Sequence, residues 1–360
     1  MLPPNGILST FVRVERGKEG ATVELEGGQK ARLDPSDERW QGFANVLEGL
    51  AKLRRPVYVE LEGDAIARVL IPEVGQVIGV RKLDEGVMAV DLRPSHARHV
   101  LRERTEAFEE ILARLRRALD TAEPMIVVED DAHEIIDVRE YRPAPGGPDL
   151  PFPEPGPRPR PRWPWRWLRE LWWWRWWPWW WWFRCVSADR AQEIFDAMSA
   201  TTCDPHTVPA PCIPFLYPDD GCWGRAHEMC RLMIGMGVRP RKVWIQGSLY
   251  APTRNHPNCG VHWGWHVAPT ICVRGRRPWR HREMVIDPSL FTTPVTQATW
   301  KGAQGDPNAS LTPSAASIFY LWGNQTDPNY TQTDQVLATY RLALQNRTVQ
   351  QGPPPYANCP

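Results

Sequence analysis

Ile213-Pro214-Phe215-Leu216-Tyr217-Pro218-Asp219-Asp220-Gly221-Cys222-Trp223-Gly224-Arg225-Ala226-His227-Glu228-Met229 is the stretch that decides the fold of this chain. A Pro-Asp-Asp-Gly turn runs directly into a cysteine that opens a helical pattern. From Cys222 the apolar positions fall at Ala226, Met229, Cys230 and Met233, which share one helix face. Asp219 or Asp220 is the expected N-cap, which sets Cys222 in the first turn. There the unpaired amides and the positive end of the helix dipole favour thiolate over thiol. Cys222 therefore reads as a nucleophile, against the alternative of a buried structural thiol.

A thiolate nucleophile needs a base, and the base needs a group to orient it. The histidines available downstream of residue 185 are His206, His227, His256, His262, His266 and His281. His227 lies five residues along the Cys222 helix and so points about 140° away. His266 is the better base. It lies on an expected strand, 264–273, joined by the basic connection 274–282 to another, 283–287. A simple hairpin centred between residues 276 and 277 sets His266 opposite Asp287, within reach of a hydrogen bond from Nδ1–H to the carboxylate. The other imidazole nitrogen is then left for Cys222. Trp223 and Trp263 are candidates for shaping a substrate groove, while Trp265 reads as core.

Several further blocks accompany these residues: 242–245 with Gly247 and Leu249, Trp263 to Pro269, and Val285-Ile286-Asp287-Pro288-Ser289-Leu290-Phe291 with Pro294, Val295 and Trp300. Together with 212–229 they resemble the protein-glutamine glutaminase (protein deamidase) family over residues 185–345. The resemblance implies a papain- or transglutaminase-like fold, with Cys222, His266 and Asp287 as the catalytic triad. It implies hydrolysis of glutamine side chains in proteins or peptides through a Cys222 thioester, with no cofactor. Transglutaminase-like acyl transfer and peptide cleavage use the same residue types and stay open. So does a non-enzymatic disulfide scaffold, which would leave the Cys222 sulfur far from His266. The family's secreted members carry a signal and an inhibitory pro-region, and the resemblance does not reach residues 1–150.

The rest of the chain is organised in unlike pieces. It has 360 residues and a net charge of +1, which gives no general pull toward nucleic acid. All eight cysteines lie at or after residue 185, and twelve of twenty tryptophans lie between Trp163 and Trp182. We expect a small, strand-rich α+β domain over 1–141, a Pro/Arg/Trp-rich linker over 142–184 and the cysteine domain over 185–360, its helix packed on an antiparallel sheet.

In the first domain, short strands run to residue 92, and a partly closed barrel is the form read for them. A helix capped by Thr105 and two further strands follow. His96, His99 and Glu129-Asp130-Asp131 read as solvated surface, because no nucleophile or metal spacing accompanies them. The ten prolines of 142–165 favour an extended spacer. The tryptophan run 163–183 is too short to span a bilayer. It suits a membrane surface, or else packs internally, serves as a tether or stacks on sugar or nucleic acid.

Cysteine content leans toward an oxidising, extracytoplasmic compartment, although Met1 to Gly6 show no ordinary signal peptide. Cys203, Cys212, Cys259 and Cys272 read as disulfides. A free Cys222 leaves seven cysteines, so a second thiol stays unpaired. Cys203-x2-His206, His227-x2-Cys230 and His256-x2-Cys259-x2-His262 are short spacings without a complete zinc motif, and no metal is expected from them. In the cysteine domain, Ser187 and Thr333 read as helix caps, and Cys359 as a tether for the tail.

Overall fold

The computed structural model describes residues 6–18, 20–142, 185–275 and 281–360. The tryptophan run, and with it the membrane, packing, tether or stacking readings, lies outside these residues, as do residues 276–280 of the 274–282 connection. No described helix is long and apolar enough to cross a membrane.

The architecture is mixed α+β with several sheets and few helices. The first sheet uses β1 (Gly6–Ser9), β2 (Val12–Gly17), β3 (Gly20–Leu25), β4 (Lys30–Leu33), β5 (Val57–Glu62) and β6 (Ala65–Leu70), in the order β1-β5-β6-β4-β3-β2. The second uses β7 (Glu73–Asp84), β8 (Val87–Arg93), β9 (His99–Arg102), β10 (Pro124–Glu129) and β11 (Ile135–Glu140), in the order β11-β10-β7-β8-β9. Both are open sheets, so the closed-barrel alternative is not what forms. Leu8, Tyr58 and Leu70 of the first sheet pack against Val74, Ile126 and Val128 of the second.

One helix covers each sheet. Helix α1 (Trp40–Leu53) buries Phe43, Ala44, Val46, Leu47 and Leu50. The strand-by-strand reading passed over this helix, because Gly42 and Gly49 break a good helical composition. Their role is close approach rather than local stability. A Cβ on Gly42 would sit 2.4 Å from Val349 Cγ2, and one on Gly49 would sit 2.5 Å from Leu342 Cδ2. Helix α2 (Phe108–Thr121) buries Ile111, Leu112 and Leu115 as its spacing predicts, but its N-cap is Ala107 and Thr105 makes no side-chain cap.

The C-terminal region begins with helix α3 (Ala188–Ser199), capped as expected by Ser187, whose hydroxyl accepts from the Arg190 amide. Helix α4 (Cys222–Gly235) follows. It packs against an antiparallel sheet of β12 (Arg241–Pro252), β13 (Gly260–Arg274), β14 (His281–Val285), β15 (Val295–Thr296) and β16 (Ser310–Ala315), in the order β15-β14-β13-β12-β16. Helix α5 (Gln297–Gly302) and the short strands β17 (Ile318–Tyr320) and β18 (Gln325–Thr326) lead to the long helix α6 (Thr331–Gln351). Helix α6 turns Val336, Leu337, Tyr340 and Leu344 inward. Its N-cap is Tyr330, and Thr333 donates to Asp327 instead of capping.

Disulfides join Cys185 to Cys272, Cys203 to Cys212 and Cys259 to Cys359. The last ties down the tail. Cys222 and Cys230 stay free and buried, so the second unpaired thiol is Cys230. With Cys203 and Cys259 in disulfides, two of the three short zinc spacings lose a ligand.

Candidate active site

Cys222 is the first residue of α4, and Gly221 is its N-cap, with φ of +82°. The glycine is required twice over: for the left-handed backbone, and because a Cβ there would lie 2.3 Å from the Tyr340 ring. Neither aspartate caps the helix with its side chain. Asp220 Oδ1 accepts from the Gly221 amide at 2.8 Å, and the Arg225 Nη1 donates back to the Asp220 carbonyl at 2.5 Å. The turn is thus fixed from both sides.

His266 on β13 and Asp287 just beyond β14 meet, with Nε2 2.9 Å from Oδ2 and both side chains buried. The hairpin register differs from the expected one. Thr270 pairs with Val285 and Arg274 with His281, which shifts the ladder by two residues, so His266 and Asp287 are diagonal neighbours rather than direct opposites. The bond also uses Nε2, not Nδ1. Nδ1 of His266 is buried without a hydrogen-bond partner, and the sulfur of Cys222 and a ring nitrogen of His266 lie within 4.8 Å. This proximity is the opposite of what a scaffold would leave.

Asp287 Oδ2 also accepts from Trp300 Nε1 at 2.8 Å, and Oδ1 accepts from the Ser289 amide at 3.2 Å. Burial alone would raise the Asp287 pKa. The His266 ring and these donors more than offset it and keep the carboxyl below its ordinary range. Trp263 stacks on His266 with ring centroids 4.5 Å apart, and Trp300 stacks on it at 5.5 Å. Trp223, Trp263 and Trp265 are all buried.

Sequence reasoning missed the residue that buries them. His96, read as solvated surface, is 1% exposed. Its ring centroid lies 5.7 Å from that of His266, 5.3 Å from Trp263, 5.4 Å from Trp265 and 6.2 Å from Trp223. The segment carrying it runs beside β13. Ala97 forms an antiparallel bridge with Trp263, the Arg98 amide donates to the His262 carbonyl at 3.1 Å, and the Gly264 amide donates to the His96 carbonyl at 2.9 Å. Trp265 Nε1 donates to the Ser95 carbonyl at 3.2 Å. The N-terminal region adds itself to the sheet edge as an extended peptide does.

His99 is buried as well, and Glu129 is part-buried between two rings, from His99 Nδ1 at 2.5 Å and from His133 Nδ1 at 2.7 Å. Across the contact, Asp219 is held by Arg347 at 2.6 and 2.9 Å, by His256 at 3.0 Å and by His133 at 3.5 Å. These groups are buried or part-buried and paired, not solvated. Nothing in the local sequence reveals this, because each partner lies in another part of the chain.

Covering the site also reverses the expectation for Cys222. Burial pushes its thiol well above the ordinary value, against the pull of Arg225 and of the Val267 amide. In this arrangement Cys222 is a thiol, and the start of the helix does not overcome desolvation. His227 turns away as expected, with Nδ1 2.9 Å from Lys242 Nζ.

No curated protein matches the chain. Among solved structures, pro- protein-glutaminase and its A47Q2 mutant each superpose with a TM-score of 0.50 at 20% identity. The mutant match covers 80% of this chain and 95% of that one, and the other covers 81% and 99%. Protein-glutaminase from Chryseobacterium proteolyticum is 29% identical over 42% of this chain and 84% of that one, with a TM-score of 0.37. A family model described as Glutaminase matches residues 191–304, a span that contains Cys222, His266 and Asp287. Residues 191–304 are thus similar to the glutaminase family.

Proposed function

We propose that the chain hydrolyses the side-chain amide of glutamine in proteins or peptides, releasing ammonia and leaving glutamate, with Cys222 as nucleophile, His266 as base and Asp287 as orienting group. The match to the glutaminase family carries the reaction class. The contact between buried His266 and Asp287, with Cys222 near the unpartnered side of the ring, supports the assignment of roles.

In this reading His266 Nδ1 takes the Cys222 proton as sulfur attacks the carboxamide carbon. The same proton then goes to the departing nitrogen, and ammonia leaves a thioester. Water attacks next, again losing its proton to His266, and glutamate and free thiol are released. Asp287 stabilises the imidazolium formed in each half and fixes the ring with its Nε2–H bond. The Cys222 amide at the helix start supplies one oxyanion donor.

The N-terminal region is the cover of this site. His96 occupies the box of aromatic rings beside His266, where a substrate side chain would have to enter, and the segment around it fills the sheet edge an extended substrate would use. Substrate therefore requires this segment to withdraw.

The test is ammonia release from a glutamine-containing protein, with mass spectrometry at the glutamines, using the chain before and after cleavage within 143–184 and the Cys222→Ala variant. We expect amide-to-acid conversion that depends on Cys222 and rises on cleavage. Cross-linked or cut substrate would replace hydrolysis of glutamine by acyl transfer or proteolysis, and no product from any form would end the reading.

A further inference from the structure

Three side chains converge at the contact between the two regions. The sulfur of Cys222 and one ring nitrogen each from His96 and His266 all lie within 4.8 Å of one another, and all three residues are buried. We propose that they form a zinc site, and that the bound ion bridges the N-terminal region to the active-site cysteine and holds the cover in place.

The donor set argues for this metal class. One thiolate and two imidazoles suit Zn2+ and are poor ligands for Mg2+ or Ca2+, which demand oxygens. A tetrahedral zinc site places its N and S donors about 3.4–3.6 Å apart, so the side chains need to close by at most about 1.4 Å. Three protein ligands leave a fourth position for water.

The outer contacts are those a zinc site needs. Zinc-bound imidazoles ordinarily give their far nitrogen to a carboxylate or carbonyl, which fixes the tautomer. His96 Nδ1 stands 2.7 Å from Asp220 Oδ1, and His266 Nε2 stands 2.9 Å from Asp287 Oδ2. Both ring nitrogens of His96, and Nδ1 of His266, are buried with no hydrogen-bond partner. Unsatisfied buried polar atoms are costly, and here they belong to two rings that each place a nitrogen within 4.8 Å of one sulfur. The cluster of His99, Glu129 and His133 makes the contrast. There a carboxylate already bonds both rings from between them.

Binding replaces the Cys222 S–H bond with an S–Zn bond, and the proton leaves to solvent. Two carboxylates, Asp220 and Asp287, flank the resulting net charge of the zinc–thiolate unit. The site requires both regions of the chain, so the metal stabilises only the covered form. It goes beyond the proposed hydrolysis and does not depend on it, since zinc binding is read without substrate.

The experiment uses the full chain stripped with a chelator. Zinc is titrated in competition with a chromophoric chelator, and Co2+ is added separately as a spectroscopic probe. We expect one zinc per chain and a thiolate-to-cobalt charge-transfer band in the near ultraviolet. Cys222→Ser abolishes the band. Cys222→Ser and His96→Gln each weaken zinc more than tenfold, while Cys230→Ser and His281→Gln leave it unchanged. Thermal unfolding without metal reports whether each variant folds. If His96→Gln does not fold, Cys222→Ser, which changes one atom, and the cobalt band decide. Absence of stoichiometric zinc, a cobalt complex without the thiolate band, or unchanged affinity in a folded Cys222→Ser overturns the proposal.

Discussion

His96 and Asp220 meet across 124 residues of sequence, with His96 Nδ1 2.7 Å from Asp220 Oδ1 and the His96 amide donating to the same oxygen at 3.1 Å. Asp220 stands two residues before Cys222. The N-terminal segment is therefore fastened to the very turn that presents Cys222. Burial pushes the His96 ring down to about 4 despite the Asp220 charge, so the ring is neutral at pH 7 and packs as an aromatic slab.

Removing that slab exposes the sulfur. His96→Ala should raise the rate at which iodoacetamide alkylates Cys222 by at least tenfold in metal-free protein, and should cost about 2 kcal/mol of stability from lost packing. Mass spectrometry of the alkylated peptide separates Cys222 from Cys230, which acts as the buried internal reference. An unchanged rate at Cys222 means that another element blocks access.

Asp287 controls the tautomer of His266. If Asp287 has the proposed orienting role, Asp287→Asn should reduce ammonia release by about 10³–10⁴-fold in the cleaved chain, with the fold retained, as loss of the orienting carboxylate does in Ser-His-Asp triads. Trp300→Phe keeps the ring stacked near His266 and deletes only the donor at 2.8 Å from Asp287 Oδ2. A hydrogen bond to a charged group is worth about 1.5–3 kcal/mol, so a loss of about 10–100-fold is expected if the bond serves the reacting geometry. The same activity in wild type and Trp300→Phe would assign Trp300 to packing alone.

The sequence carried the half of the site that obeys local rules. Cys222 opens a helix with one apolar face, and β12, β13 and β14 follow as separate hydrophobic runs, so Cys222, His266 and Asp287 are all legible. The two-residue shift between β13 and β14 was not legible, because alternating side chains fix which face a residue takes but not which partner it meets across the hairpin. The interface was not legible either. Asp219 looks like a turn residue until Arg347, His256 and His133 arrive from three distant segments. A buried polar network of this kind is written in tertiary contacts and leaves no periodicity. Helix α1 was hidden for the same reason, since its glycines answer to helix α6 and not to helix propensity.

The buried ions at the contact make the cover sensitive to pH. Burial alone would lower the His133 and His99 pKa values, but Glu129, with Asp219 beside His133, more than offsets it and raises both, His133 well above its ordinary value. A histidine raised in the folded state stabilises it fully below about pH 6.5, and that contribution is lost as pH climbs through the folded value. Glu129, held at about 2, and Asp219, held lower than its ordinary value by Arg347 and His256 against burial, lose their share only in strong acid. The thermal midpoint should therefore fall as pH is raised from 6.5 through the alkaline range, and the amides of Arg98 and Gly264 should exchange hydrogen faster. His133→Gln should flatten that dependence. A midpoint independent of pH above 6.5 in the wild-type chain would mean that His99 and His133 do not titrate as the contact requires.

Gly42 measures how closely the two regions are fitted. In an exposed helix, Gly→Ala stabilises by about 1 kcal/mol through propensity. Here the new methyl would lie 2.4 Å from Val349 Cγ2 and 3.0 Å from Cγ1, and a β-branched side chain on a helix has little rotamer freedom with which to yield. Overpacking costs about 1–3 kcal/mol, so the clash outweighs the propensity gain and the net change should be a loss of about 1 kcal/mol. Gly49→Ala meets Leu342, whose unbranched Cβ lets the side chain swing, and should be close to neutral. Denaturant unfolding of the two variants beside wild type reads the difference directly. A stabilised Gly42→Ala would show that α1 and α6 separate easily, and that the cover is held by the segment around His96 rather than by the helices.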